Sequence, residues 1–116
     1  MSDVAWKLVD AAEWAAAGPA WDGSEVDRAD GYIHMSMADQ LAETAARHYR
    51  GRSGLRLLEV DLASLGDRLV REPSRGGALF PHLYGPLPRT AVRSERGLAV
   101  DAAGVMRFED GAVGWP

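Results

Sequence analysis

The stretch 30–49, DGYIHMSMADQLAETAARHY, changes its hydrophobic period midway, and this limits the possible folds more than any other feature of the chain. Asp30-Gly31 is a turn signal. Between Tyr32 and Ser36 the residues alternate, with Tyr32, His34 and Ser36 on one face and Ile33 and Met35 on the other. Such a strand offers one apolar face to a core and one face of functional groups. Beyond Ser36 the period becomes helical: Met37, Leu41, Ala45 and His48/Tyr49 recur on one side, which predicts a helix over 37–49. Ser36 followed by Asp39 resembles a capping box, with Asp where Glu or Gln is usual. A histidine and a hydroxyl thus stand where a strand feeds a helix N-terminus. Exposed N–H groups and the positive end of the helix dipole favour an anion or a nucleotide there.

The rest of the chain reads as one α+β domain, since 116 residues supply one core and not two. A first strand is expected over 4–9, with Lys7 in its middle, and a helix over 10–17. The helix opens with Asp10 and Glu13 in capping-box spacing and stops at Gly18-Pro19, with Trp14 as its anchor to the sheet. The stretch 20–30 reads mostly as loop, with a short turn begun by Ser24. Leu55–Asp61 reads as a strand buried on both faces except at Arg56 and Glu59. A tight turn or short helix at 63–66, a short strand over 69–72 and a polar loop over 73–77 follow. In FPHLYGPL, 80–87, the breakers Pro81, Gly85 and Pro86 argue against a central strand or a helix. Phe80, Leu83, Tyr84 and Leu87 are too apolar for a solvated loop, so an ordered, packed loop presenting His82 is expected. A strand over 91–96 and a hairpin pairing 98–100 with 105–108 complete the pattern, before a loose tail in which Trp115 is the residue able to pack. The expected architecture is a bent, split sheet, mixed or antiparallel, with two main helices.

The net charge of −4 argues against a nucleic-acid coat or an anionic membrane surface as partner. A local basic run, Arg47, His48, Arg50, Arg52 and Arg56, reads either as a complement to a helix C-terminus or as a phosphate-contacting patch. The absence of cysteine excludes disulfides and thiolate chemistry and fits a cytosolic protein. The first ten residues carry no signal-peptide pattern, and no apolar run is long enough to span a bilayer. His34, His82 and Glu72 are suitable zinc ligands by type but lack the short paired spacing of zinc motifs.

Two segments in order, Gly31-Tyr32-Ile33-His34-Met35-Ser36 and Phe80-Pro81-His82-Leu83-Tyr84-Gly85, with Glu72 between them, resemble the Domain of Unknown Function 952 family of small bacterial proteins. The likeness covers a core of about 4–93 and leaves the hairpin and tail, 96–116, outside it. The family has no established activity. Its fold is similar to the ADP-ribosyltransferase fold, a split, bent sheet whose cleft holds NAD. In that likeness the segment from Gly31 to Ser36 lines the nicotinamide side. His34 stands where tyrosine is common, and Lys7 where histidine is usual.

The resemblance implies a catalytic set of Glu72, His34 and His82. Glu72 would stabilise charge on the ribose. NAD would be held by Tyr32, Ser36, Arg75 and Tyr84, the tyrosines stacking and Arg75 and the helix start taking phosphate. Each residue also has a plainer reading. His34 suits a histidine bonded in the core, Ser36 a helix cap, and His82 a brace for its own loop. Glu72 suits a surface pair with Arg71 or Arg75, and Tyr84 suits packing alone. The alternative function is a non-catalytic module that binds a small metabolite or a peptide in the same cleft.

Overall fold

The computed structural model describes residues 3–116, apart from the side chain of Arg75. Its elements are β1 (Val4–Asp10), α1 (Ala11–Ala16), β2 (Ala20–Trp21), α2 (Glu25–Asp30), β3 (Ile33–His34), α3 (Ala38–His48), β4 (Leu55–Asp61), β5 (Leu69–Pro73), β6 (Leu79–Leu83), β7 (Leu87–Pro88), β8 (Val92–Val100) and β9 (Met106–Phe108). They build a four-stranded sheet in the order β1-β4-β8-β9, a three-stranded sheet β3-β6-β5 and a two-stranded ribbon β2-β7. Every pairing is antiparallel, so the sheets are not mixed.

The four-stranded sheet separates two cores, and β4 shows why its sequence is apolar on both faces. Leu55 and Leu57 join Leu8, Leu41, Ala45 and the β8–β9 hairpin in one cluster. Leu58 and Val60 join Ala5, Val9, Ile33, Met35 and Leu83 in the other. Strand alternation sends neighbouring residues into opposite cores. Leu41 and Ala45 are the buried stripe of α3, as their spacing predicts.

A single bridge joins the two larger sheets at the edge of β1. The Trp6 N–H donates to the Ser36 carbonyl at 2.7 Å, and the Ser36 N–H returns to the Trp6 carbonyl at 2.9 Å. Both backbone groups of Trp6 therefore face the free edge, and those of Leu8, two residues on, face the same way.

Four expectations need correction. The stretch 20–30 is not mostly loop: Ser24 opens α2 in a capping box with Asp27, and Gly31 at φ +88° closes it. The Asp30-Gly31 turn is thus a helix C-cap, in a conformation that suits glycine. Secondly, β6 is a central strand despite Pro81. The Pro81 carbonyl accepts from the Met35 N–H, so its missing N–H falls on the same side, where β3 has already ended at His34. One ladder bond is lost at a strand end, where the cost is small.

Thirdly, Ser36 does not cap α3. Met37 is the N-cap residue and its N–H donates to the Gln40 side-chain carbonyl at 2.9 Å, while Ser36 is buried against Thr44 at 2.9 Å. Fourthly, the tail is not loose at Trp115. The Trp115 indole N–H donates to the Ala38 carbonyl at 2.8 Å, and the ring meets Trp6 edge-on at 4.8 Å between centroids. The Asp10 cap, the doubly buried β4 and the C-terminal hairpin stand as expected.

Candidate functional site

A cleft of about 470 Å³ opens along the free edge of β1, where the two sheets part beyond the Trp6–Ser36 bridge. Trp6, Lys7, His34, Ser36, Tyr49 and His82 are among the residues that line it. Each reaches it by strand or helix periodicity. Lys7 is on the face of β1 opposite Trp6, His34 and Ser36 share the polar face of their segment, and His82 is the partner of His34 across β3 and β6.

One wall is a buried charge network centred on Asp27. Lys7 Nζ lies 3.0 Å from Asp27 Oδ2 and 3.2 Å from Oδ1. His34 Nδ1 lies 2.6 Å from Oδ1, the His34 N–H donates to the same oxygen at 3.1 Å, and the Ser24 N–H donates to Oδ2 at 3.0 Å. Burial pushes the Asp27 carboxyl up. The hydrogen bond to His34, the Lys7 ammonium and the two backbone donors outweigh that and hold it well below the usual carboxylate range. Burial lowers Lys7, and the Asp27 charge opposes the shift. The other ring nitrogen of His34, Nε2, meets Asp30 Oδ2 at 2.9 Å, so both nitrogens of this histidine are engaged.

The second wall is built on His82. Its Nδ1 lies 2.7 Å from Glu72 Oε1, and the Tyr84 hydroxyl donates to the same oxygen at 2.7 Å. These two bonds, Tyr84 first, hold the Glu72 carboxyl below its ordinary value, while the carboxylate pushes the Tyr84 phenol up to about 12. Tyr32 stacks on His82 with centroids 4.1 Å apart and touches His34 at 4.6 Å and Tyr84 at 5.2 Å. Burial, then the charges of Asp30, Glu72 and Asp27, push the Tyr32 phenol up as well. At the far end, the Tyr49 hydroxyl donates to the Leu8 carbonyl at 3.2 Å, and burial pushes it up to about 12.

Of the residues expected at a site, His34, Ser36 and His82 line the cleft. Glu72, Tyr84 and Tyr32 are joined to His82 but are not among the lining residues. Arg75, expected on phosphate, has its side chain outside the described residues. Glu72 does not pair with Arg71, which meets Asp3 at 2.6 Å instead. Among the described residues His82 is braced by this carboxylate. The basic run resolves into local contacts: Arg47 on Glu43 at 2.9 Å, Arg50 on the Ala46 carbonyl at 3.3 Å, Arg52 over the Tyr49 ring and Arg56 3.7 Å from Glu95. Asp27, Asp30, Thr44 and Tyr49 were not expected. The Ser24–Asp27 spacing is the signal that would have found Asp27, because it is a capping pattern.

Among the described residues no helix is long and apolar enough to cross a membrane. No functionally curated protein matches the chain. Three solved structures do, all of protein CC0527 from Caulobacter crescentus. Its crystal structure is 47% identical, covers 90% of this chain and 94% of that one, and superposes with a TM-score of 0.85. The crystal structure of a double mutant, at 45% identity with the same coverage, also gives 0.85. The solution structure is 48% identical over 87% of this chain and 89% of that one, with a TM-score of 0.75. The family model described as "Protein of unknown function (DUF952)" matches residues 8–95, which span both histidine segments and Glu72, and the chain belongs to that family.

Proposed function

We propose that the cleft binds a pyridine dinucleotide or a fragment of one, NAD or ADP-ribose being the forms to test. The observation that carries this reading is the run of polar groups along the free edge of β1, in a cleft of about 470 Å³. That volume is in the usual range for small-molecule sites. The Leu8 N–H and the second lone pair of its carbonyl, whose first is taken by Tyr49, complement a primary carboxamide such as that of nicotinamide. The Ser36, Thr44 and Tyr49 hydroxyls supply partners for ribose hydroxyls, and Trp6 and Trp21 supply apolar wall. The buried Trp6 Nε1 has no hydrogen-bond partner among the described residues and is a donor that a ligand oxygen would satisfy.

Thermal melts with NAD, ADP-ribose and nicotinamide test the reading. Ligand at about 100 times its dissociation constant stabilises a folded domain by about 2.7 kcal/mol. Each kcal/mol moves the melting point of a domain this size by roughly 4–8 °C. A rise on the order of 10 °C is expected at saturation. No shift at millimolar ligand, with the protein folded, would remove the proposal. A module that binds without chemistry would give the same shift, and release of nicotinamide separates the two.

A further inference from the structure

Of the two histidines whose partners are described above, only His82 has a ring nitrogen without a partner among the described residues. His34 is engaged at both nitrogens, by Asp27 at 2.6 Å and by Asp30 at 2.9 Å. His82 is tied at Nδ1 by Glu72 at 2.7 Å, and its Nε2 has no partner among the described residues. The His82 side chain is 5% exposed, yet the residue lines the cleft, whereas Glu72 does not. With the carboxylate accepting from Nδ1–H, the lone pair of neutral imidazole sits on Nε2. Tyr32, stacked at 4.1 Å, fixes the plane of the ring. A buried imidazole oriented by a carboxylate, in a residue that lines a ligand-sized cleft, has the parts of a general base and its orienting group.

We infer that His82 is a general base that activates water in the cleft, positioned by Glu72, and that the reaction it serves is hydrolysis of the N-glycosidic bond of a bound nicotinamide dinucleotide. The inference rests on the binding proposed above. Water gives a proton to His82 Nε2 while its oxygen bonds to the ribosyl carbon that carries nicotinamide. The carbon–nitrogen bond breaks, and its electron pair goes to the pyridinium nitrogen, so nicotinamide leaves neutral. The proton then passes from His82 to solvent. Water and NAD become ADP-ribose, nicotinamide and a proton, with no other reactant. His82 is the catalytic residue here, and Glu72 is a positioning residue that acts through it.

The test measures nicotinamide release from NAD by the full chain, beside the melting shift with ADP-ribose, which reads binding without reaction. The wild-type protein is expected to release nicotinamide. His82→Asn is expected to lower kcat by about 10²–10⁴-fold, the usual range for a general base. Glu72→Gln is expected to lower kcat by less, with KM for NAD and the ADP-ribose shift unchanged in both variants. A merely structural role for Glu72 would not separate kcat from KM in this way. A wild-type protein that binds NAD and releases no nicotinamide overturns the inference and leaves the binding proposal standing. So does a folded His82→Asn protein with wild-type kcat. Absence of any ligand shift overturns both. If a variant fails to fold, the wild-type assay and the other variant still decide.

Discussion

The Lys7 ammonium lies 3.0 Å from the Asp27 carboxylate, with the two side chains 5% and 2% exposed, and this pair ties α2 to β1. Asp27 also accepts from the Ser24 and His34 N–H groups, so one carboxylate fixes the start of α2, the end of β3 and the wall of the cleft. Removing it with Asp27→Ala leaves a buried ammonium and two backbone donors unpaired. The expected loss is about 3–5 kcal/mol, read from urea melts. The double change Lys7→Met with Asp27→Leu removes the unpaired charge but not the unpaired N–H groups, so it is expected to recover only part of the loss. Full recovery would show that the backbone bonds to Asp27 contribute nothing.

The acid limb of stability should depend on the same carboxylate. Burial raises the Asp27 pKa, but the His34 hydrogen bond and the Lys7 charge bring it below its unfolded value. The unfolded chain therefore binds the proton first. The stabilisation is present above the ordinary carboxylate range and is lost as pH falls through that range toward the folded value. Glu72, lowered by Tyr84 and His82, acts in the same direction. Urea melts across acidic pH should show stability falling steeply in the wild type and less steeply in Asp27→Asn. Equal slopes would sink the assignment.

Much of this was legible in sequence where one pattern acted alone. The alternation of Tyr32, His34 and Ser36 against Ile33 and Met35 placed the core and polar faces correctly, because side-chain direction in a strand depends only on parity. What failed depended on partners far away in sequence. Pro81 is tolerated in a central strand only because β3 ends beside it, which no local rule reveals. Ser36 gave up the helix cap to Thr44 and to the bridge with Trp6, so its role was set by β1 and α3 together. Asp27 was hidden because α2 is a six-residue helix, too short to show a period.

All three tyrosines are pushed above the ordinary phenol value. Burial drives Tyr49 up to about 12, the bond to Glu72 drives Tyr84 up to about 12, and burial and nearby carboxylates raise Tyr32. Titration of tyrosinate absorbance in the folded protein should show a reduced inflection at about 10, where unfolded tyrosine ionises, because Tyr49 and Tyr84 are pushed up to about 12. In urea the full inflection should appear. A raised folded pKa is stability present below the unfolded value and lost as pH rises through the folded one, so the protein should weaken between about 10 and 12. Tyr84→Phe and Tyr49→Phe should each remove one ionising group from the alkaline end. A full inflection at about 10 in the folded protein would contradict the contacts that hold Tyr49 and Tyr84.

Ile33 and His34 are consecutive residues on opposite faces of β3, and replacing each with alanine separates core packing from the charge network. Ile33 is 2% exposed among Leu83, Met35 and Leu58. Ile33→Ala deletes buried volume and is expected to cost about 2–5 kcal/mol, with the acid slope unchanged. His34→Ala leaves the core intact and removes the ring contacts to Asp27 and Asp30, of which a hydrogen bond to a buried charged partner contributes about 1.5–3 kcal/mol. Because His34 contributes to the depressed pKa of Asp27, the same variant should also flatten the acid limb. Urea melts at neutral and acidic pH read both effects at once. A His34→Ala protein with wild-type stability and an unchanged acid slope would mean that the 2.6 Å contact between His34 and Asp27 does not form in solution.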